Sequence, residues 1–82
     1  MTQDEAANAL FVEAVQLWSR AEQEPVVERA AMLQRVQSNL KTIIKRHGGS
    51  ALAVRLVIGE TVGPLSVGRV EGAASQALKE CY

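Results

Sequence analysis

Cysteine occurs once, at Cys81, so the chain can close no internal disulfide and has no Cys/His set with which to hold zinc. A reducing compartment is expected. Aromatic residues make up only 4% of the 82 positions, so a core must be built from Leu, Val, Ile and Ala. Proline stands at positions 25 and 64 alone, which leaves long stretches without a helix breaker. An excess of one charge is missing too. Nine Lys and Arg balance nine Asp and Glu, and a formal net charge of zero offers neither nucleic acid nor anionic lipid a general attraction. No apolar run approaches the roughly 20 residues of a membrane span. The opening MTQDEAANAL lacks the basic and long apolar regions of a secretory signal. A cytoplasmic protein without a membrane segment is therefore expected.

What is present is a high aliphatic content, 48% hydrophobic residues in a length that suits one domain over residues 1–82. A small aliphatic core is marginally stable, so docking onto a partner or onto a second copy is a physically reasonable source of further stability. The charges are unevenly distributed along the chain. Residues 1–24 hold Asp4, Glu5, Glu13, Glu22 and Glu24 against Arg20 alone, a net of −4 that the remainder balances with +4. That layout predicts an acidic and a basic end, able to orient a partner or a head-to-tail contact.

Four helices account for the pattern, and no strand-like alternation competes with them. The first is expected over about residues 3–22. Thr2 and Glu5 form a capping box, and Ala7, Leu10, Phe11, Ala14, Leu17, Trp18 and Ala21 draw an apolar stripe. Pro25, acceptable in a first helical turn, opens the second over about 25–47, and so short a link makes the pair an antiparallel hairpin. Val26, Ala30, Leu33, Val36, Leu40, Ile43 and Ile44 mark its buried side, and Gly48-Gly49 is expected to supply a left-handed cap. Ser50 caps a third helix over 51–58 that is apolar nearly all round, so it must be covered on more than one side. Gly63-Pro64 sets a turn before a fourth helix over about 66–81, stapled by Leu65 and Val70. Its inner face is Val67, Val70, Ala74, Ala77, Leu78 and Cys81, with Gly68, Gly72, Ala73 and Ser75 small enough for close helix approach. The fold class is all-α, a compact four-helix domain with a long hairpin and two shorter helices packed across it.

The spacing Ala7-x-x-Leu10-Phe11-x-x-Ala14, followed by a second helix ending IIKRHGGSALAVRL, resembles tetratricopeptide-type repeats over about residues 6–59. His47, Gly48, Gly49, Ser50 and Ala53 fall where such repeats end a helix with Pro-Gly-Ser and place an alanine three residues on. The proline is absent here, the second helix is longer than in a standard repeat, and no second repeat follows. The resemblance implies a protein-binding scaffold whose groove takes a peptide or a partner helix.

Catalytic chemistry finds no constellation. His47 lies in a cationic helix end without a neighbouring acid or cysteine, and Cys81 stands beside the C-terminus; Gly59, Gly63 and Gly68 precede no Lys-Ser/Thr pair and follow no strand. A non-enzymatic role without cofactor or small-molecule substrate is the expectation, as an adaptor-type protein-interaction or self-association module. The excess apolar surface of the third helix places its contact at Leu52, Leu56, Val57 and Ile58, with Arg55 and Arg69 at the rim. Lys41, Lys45 and Arg46 complement the negative end of the second helix, and a phosphate or acidic-peptide site is the alternative use of the same cations. A helix-turn-helix DNA-binding regulator is the other reading, with the helix starting near Ser66 as its recognition helix. Zero net charge and the acids Glu71 and Glu80 on that helix speak against it.

Overall fold

The computed structural model describes residues 2–81, which form four helices, α1 (Gln3–Ala21), α2 (Val26–Arg46), α3 (Ala51–Val57) and α4 (Val67–Cys81). The expected all-α architecture is present. Thr2 caps α1, its hydroxyl oxygen accepting the Glu5 N–H at 3.1 Å while the hydroxyl donates to the Glu5 carboxylate at 3.2 Å. Pro25 stands just outside α2 as its N-cap, with φ −57° and ψ 162°. Its φ already suits a helix, but its ψ must be extended because the chain reverses there.

The end of α2 differs from the expectation. Neither Gly48 nor Gly49 has a positive φ; among the described residues only Gly59 and Gly63 do. The helix stops instead in a turn closed by Ser50, whose N–H and hydroxyl both donate to the His47 carbonyl, at 2.9 and 2.7 Å. That turn satisfies the carbonyl without a left-handed residue. Ser50, almost fully buried, also accepts the Ala53 N–H at 3.1 Å and so caps α3. A carboxylate oxygen of Asp4 accepts the next N–H, that of Ala51, at 3.0 Å. The left-handed cap lies one helix later. Gly59, at φ 85°, donates to the Leu56 carbonyl at 3.1 Å and Glu60 to the Arg55 carbonyl at 3.0 Å, the paired bonds of a Schellman ending. In the following turn Val62 and Leu65 exchange two backbone hydrogen bonds around Gly63 and Pro64. Gly63 has φ 57°, and a proline cannot follow with positive φ, so the turn is of type II′.

α2 is the central element. α1 runs antiparallel to it, and α4 returns along it from Ile44 back to Val26, so α1 and α4 are parallel to each other. α3 crosses the end where α1 begins and α2 stops. Ala7, Ala14 and Ala21, spaced by seven, are essentially inaccessible and let α1 lie close to its neighbours. Against them stand Leu33, Val36, Leu40 and Ile43 of α2 and Val70, Ala74 and Ala77 of α4, at the alternating three- and four-residue steps of a bundle seam. Two polar groups are buried with them. Asn39 donates to the Leu10 carbonyl at 3.1 Å, while Ser50 is used up in the caps.

Close approach is therefore made by alanines, and not by the glycines of α4. Gly68, Gly72 and Ser75 are exposed, and a Cβ added at Gly68 or Gly72 would meet nothing within 4 Å. An exposed helical glycine carries an entropic cost without a packing return. Gly72→Ala is accordingly expected to stabilise the fold by about 0.5–1 kcal/mol. Thermal unfolding would register it as a rise of roughly 4–8 °C per kcal/mol in a domain of this size; no rise would mean that the α4 outer face is already covered.

Candidate functional site

The nearly all-apolar α3 sorts its residues by face. Leu52, Ala53 and Leu56 turn inward and belong to the core, Leu56 with 1% of its surface exposed. Leu52 and Leu56, which the sequence places in a contact surface, thus have no free side to offer. α3 is also not covered on its outer side. Val54, Val57 and Ile58 are 54%, 63% and 71% exposed, and their i, i+3, i+4 spacing makes them one contiguous strip.

The charged neighbour of this strip is fixed in place. Arg55 Nε donates to Glu60 Oε2 at 2.7 Å, with a longer bond of 3.5 Å from Nη2 to the other oxygen. These two residues occupy the positions where a Schellman ending usually adds an apolar contact, and an ion pair takes its place. The hydrogen bond from Arg55 holds the Glu60 carboxyl below its ordinary value, and the same bond raises the Arg55 guanidinium. Arg69, the other expected rim residue, belongs to α4, which scarcely touches α3. Its N–H is taken by the Ser66 hydroxyl oxygen at 3.1 Å and its guanidinium by the Pro64 carbonyl at 3.2 Å.

The basic cluster is reshaped by the fold. Lys45 and Arg46 are exposed on the last turn of α2, and the antiparallel hairpin brings Asp4 and Glu5 to the same end. The separation of charge read along the sequence is partly cancelled in space, because Asp4 and Glu5 at the start of α1 lie beside the basic finish of α2, while Glu22 and Glu24 stay at its other end. Lys41 lines a small depression of about 110 Å³ whose other wall carries Glu71. The expected anion contact at Lys41, Lys45 and Arg46 therefore shares its surroundings with carboxylates, which weakens any hold on phosphate. His47 acts through its backbone, donating to the Ile43 carbonyl at 3.0 Å and accepting from Ser50.

The helix-turn-helix geometry asks for two helices packed on each other across a tight turn. Here α3 and α4 each pack on α2, separated by the connection 58–66, and the N-terminal turn of α4 presents one arginine already bonded to Pro64. Cys81 donates its thiol to the Val26 carbonyl at 3.7 Å. Among the described residues no three His, Cys, Asp or Glu side chains gather where they could share a metal ion, and no helix is long and apolar enough to cross a membrane.

Sequence reasoning missed two features. Asn39 was invisible because an amide on the buried side of α2 breaks the apolar pattern without announcing its partner, the Leu10 carbonyl. Arg35 reaches from α2 to Glu13 of α1 at 2.9 Å, and that bond first, with Asn39 second, holds the Glu13 carboxyl below its ordinary value. Comparison with protein-family models, with curated proteins and with solved structures finds no match to this chain.

Proposed function

We propose that this chain is a non-catalytic protein-interaction or self-association module whose contact face is the outer strip of α3. One observation carries the reading. Val54, Val57 and Ile58 form a contiguous, exposed branched-aliphatic strip, whereas the other exposed large hydrophobics, Val12 on α1 and Val27 on α2, stand singly. Such a patch costs free energy in water and gains it when covered, at about 25 cal/mol per Å² of apolar surface removed. Arg55 and Glu60 supply the polar rim expected around an interface core. The likeness of the α1–α2 hairpin to tetratricopeptide-type units points to the same class of role.

Light scattering over a concentration series, combined with capture of partners from the native cell, tests this. The unaltered chain should exceed its monomer mass of 8.8 kDa as concentration rises, or should recover a specific protein. The double substitution Val57→Asp with Ile58→Asp should abolish whichever is seen while leaving helicity unchanged. A monomer at every concentration, recovering the same proteins with and without the substitutions, would end the proposal.

A further inference from the structure

α1 and α4 run parallel along α2, and although their side chains share the core their backbones seldom come close. Near α3 the core of the bundle is completed by Leu65 and Val62 from the connection 58–66. At the opposite end no segment of the described residues does this, and among them a cleft of about 230 Å³ stays open between the last turns of α1 and α4. Trp18 forms one wall, Ala73 and Ala77 the other, and Leu33 of α2 lies between them. Its volume falls below the roughly 300–1,000 Å³ of sites for drug-sized ligands, so a single side chain suits it better.

The charged groups decide which side chain. Arg29 donates through Nη1 to Glu80 Oε2 at 3.4 Å, and its Nε is shut off from solvent without an acceptor among the described residues. The Arg29 charge is thus balanced by Glu80 across the cleft. Glu22, on the opposite rim, enters no ion pair among the described residues, and it leaves the cleft with a net charge of −1. α1 and α4 end here and α2 begins here, so two negative helix ends face one positive end and the balance favours a cation. An indole beside carboxylates favours them as well, through the negative face of the ring. The apolar walls match the methylene stem that lysine and arginine carry below their charge.

We propose that this cleft receives one basic side chain, lysine or arginine, presented by a partner polypeptide. The cleft lies at the other end of the bundle from α3, and the two sites stand or fall separately. Trp18 is the chain's only tryptophan, so its emission reports on the cleft directly. The probes are the peptide acetyl-Ala-Leu-Lys-Leu-Ala-amide and its counterpart with glutamate in place of lysine, titrated to millimolar concentration at low salt. A saturable change in Trp18 emission is expected with the lysine peptide, several-fold tighter than with the glutamate peptide. Glu22→Gln, at an exposed position, should weaken it about two- to fivefold, the range of an exposed ion pair. The variant carrying Val57→Asp and Ile58→Asp should respond like the parent, which separates this result from the fate of the α3 face. Three outcomes would overturn the proposal: no saturable change with either peptide, a glutamate peptide that binds as well as the lysine peptide, or an emission change on concentrating the protein alone. The last would assign the cleft to a second copy of the chain.

Discussion

Leu56→Ala is expected to remove about 2–5 kcal/mol of folding stability, while Val57→Asp, the very next residue, changes it by less than about 1 kcal/mol. Leu56 touches the core from every side with 1% exposure, and cutting it to alanine loses transfer free energy and leaves a cavity. Val57 is 63% exposed, so its replacement disturbs water more than protein. The difference is decisive for a domain of this length, whose whole stability is roughly 4–12 kcal/mol at the usual 0.05–0.15 kcal/mol per residue. Urea unfolding followed by circular dichroism should show a large drop in midpoint for Leu56→Ala and a curve for Val57→Asp close to that of the parent. Equal losses would mean that Val57 is covered within the monomer, and the α3 contact face would be lost with that result.

Ala14→Leu is expected to destabilise by about 1–3 kcal/mol, although leucine is nearly as good a helix former and more apolar. Ala14 is fully inaccessible, in the middle of the row Ala7, Ala14 and Ala21 along which α1 meets the rest of the bundle. Three added carbons cannot fit without moving the helix outward, which separates Leu10 from the Asn39 amide and Glu13 from Arg35. Ala31→Leu, on the exposed face of α2, supplies the control and should stay within about 0.5 kcal/mol of the parent. The measurement is the thermal midpoint, which should fall by roughly 4–8 °C per kcal/mol for Ala14→Leu alone. A neutral result would show that α1 sits loosely, and that the alanine row reflects composition and not close packing.

The elements were legible because each has its own local cause. A side-chain cap at Thr2 and another at Ser50, the break at Pro25, and three- and four-residue apolar spacing specify where helices start and which way they face, and these are properties of neighbouring residues. The same logic placed Leu65 and Val70 together as a staple, and both are fully buried. It failed wherever the answer depended on what lies across a gap. Glycine pairs announce a left-handed cap, yet Gly48 and Gly49 adopt none, because Ser50 reaches back to His47 and closes the turn by itself. Small residues announce close approach, yet Gly68 and Gly72 face water and alanines on the other side of α4 make the contact.

The candidate sites divide in the same way. That α3 carries more apolar surface than one face can bury is a property of its seven residues and was determined by the sequence. Which residues remain outside was settled only when α3 lay down on α1 and α2, burying Leu52 and Leu56 and leaving Val54, Val57 and Ile58 exposed. The cleft beside Trp18 had no counterpart in the sequence, since its walls come from residues 18 and 77 and its space exists only because parallel α1 and α4 stay apart at that end. The charge layout shows the reason most plainly. Linear order put −4 in the first 24 residues, and the antiparallel turn at Pro25 brought Asp4 and Glu5 back to the basic end of α2 while Glu22 and Glu24 stayed at the other. Helix formation is decided by residues a few positions apart, whereas burial, electrostatic surroundings and cavities are decided by pairs that the chain brings together from far along its length.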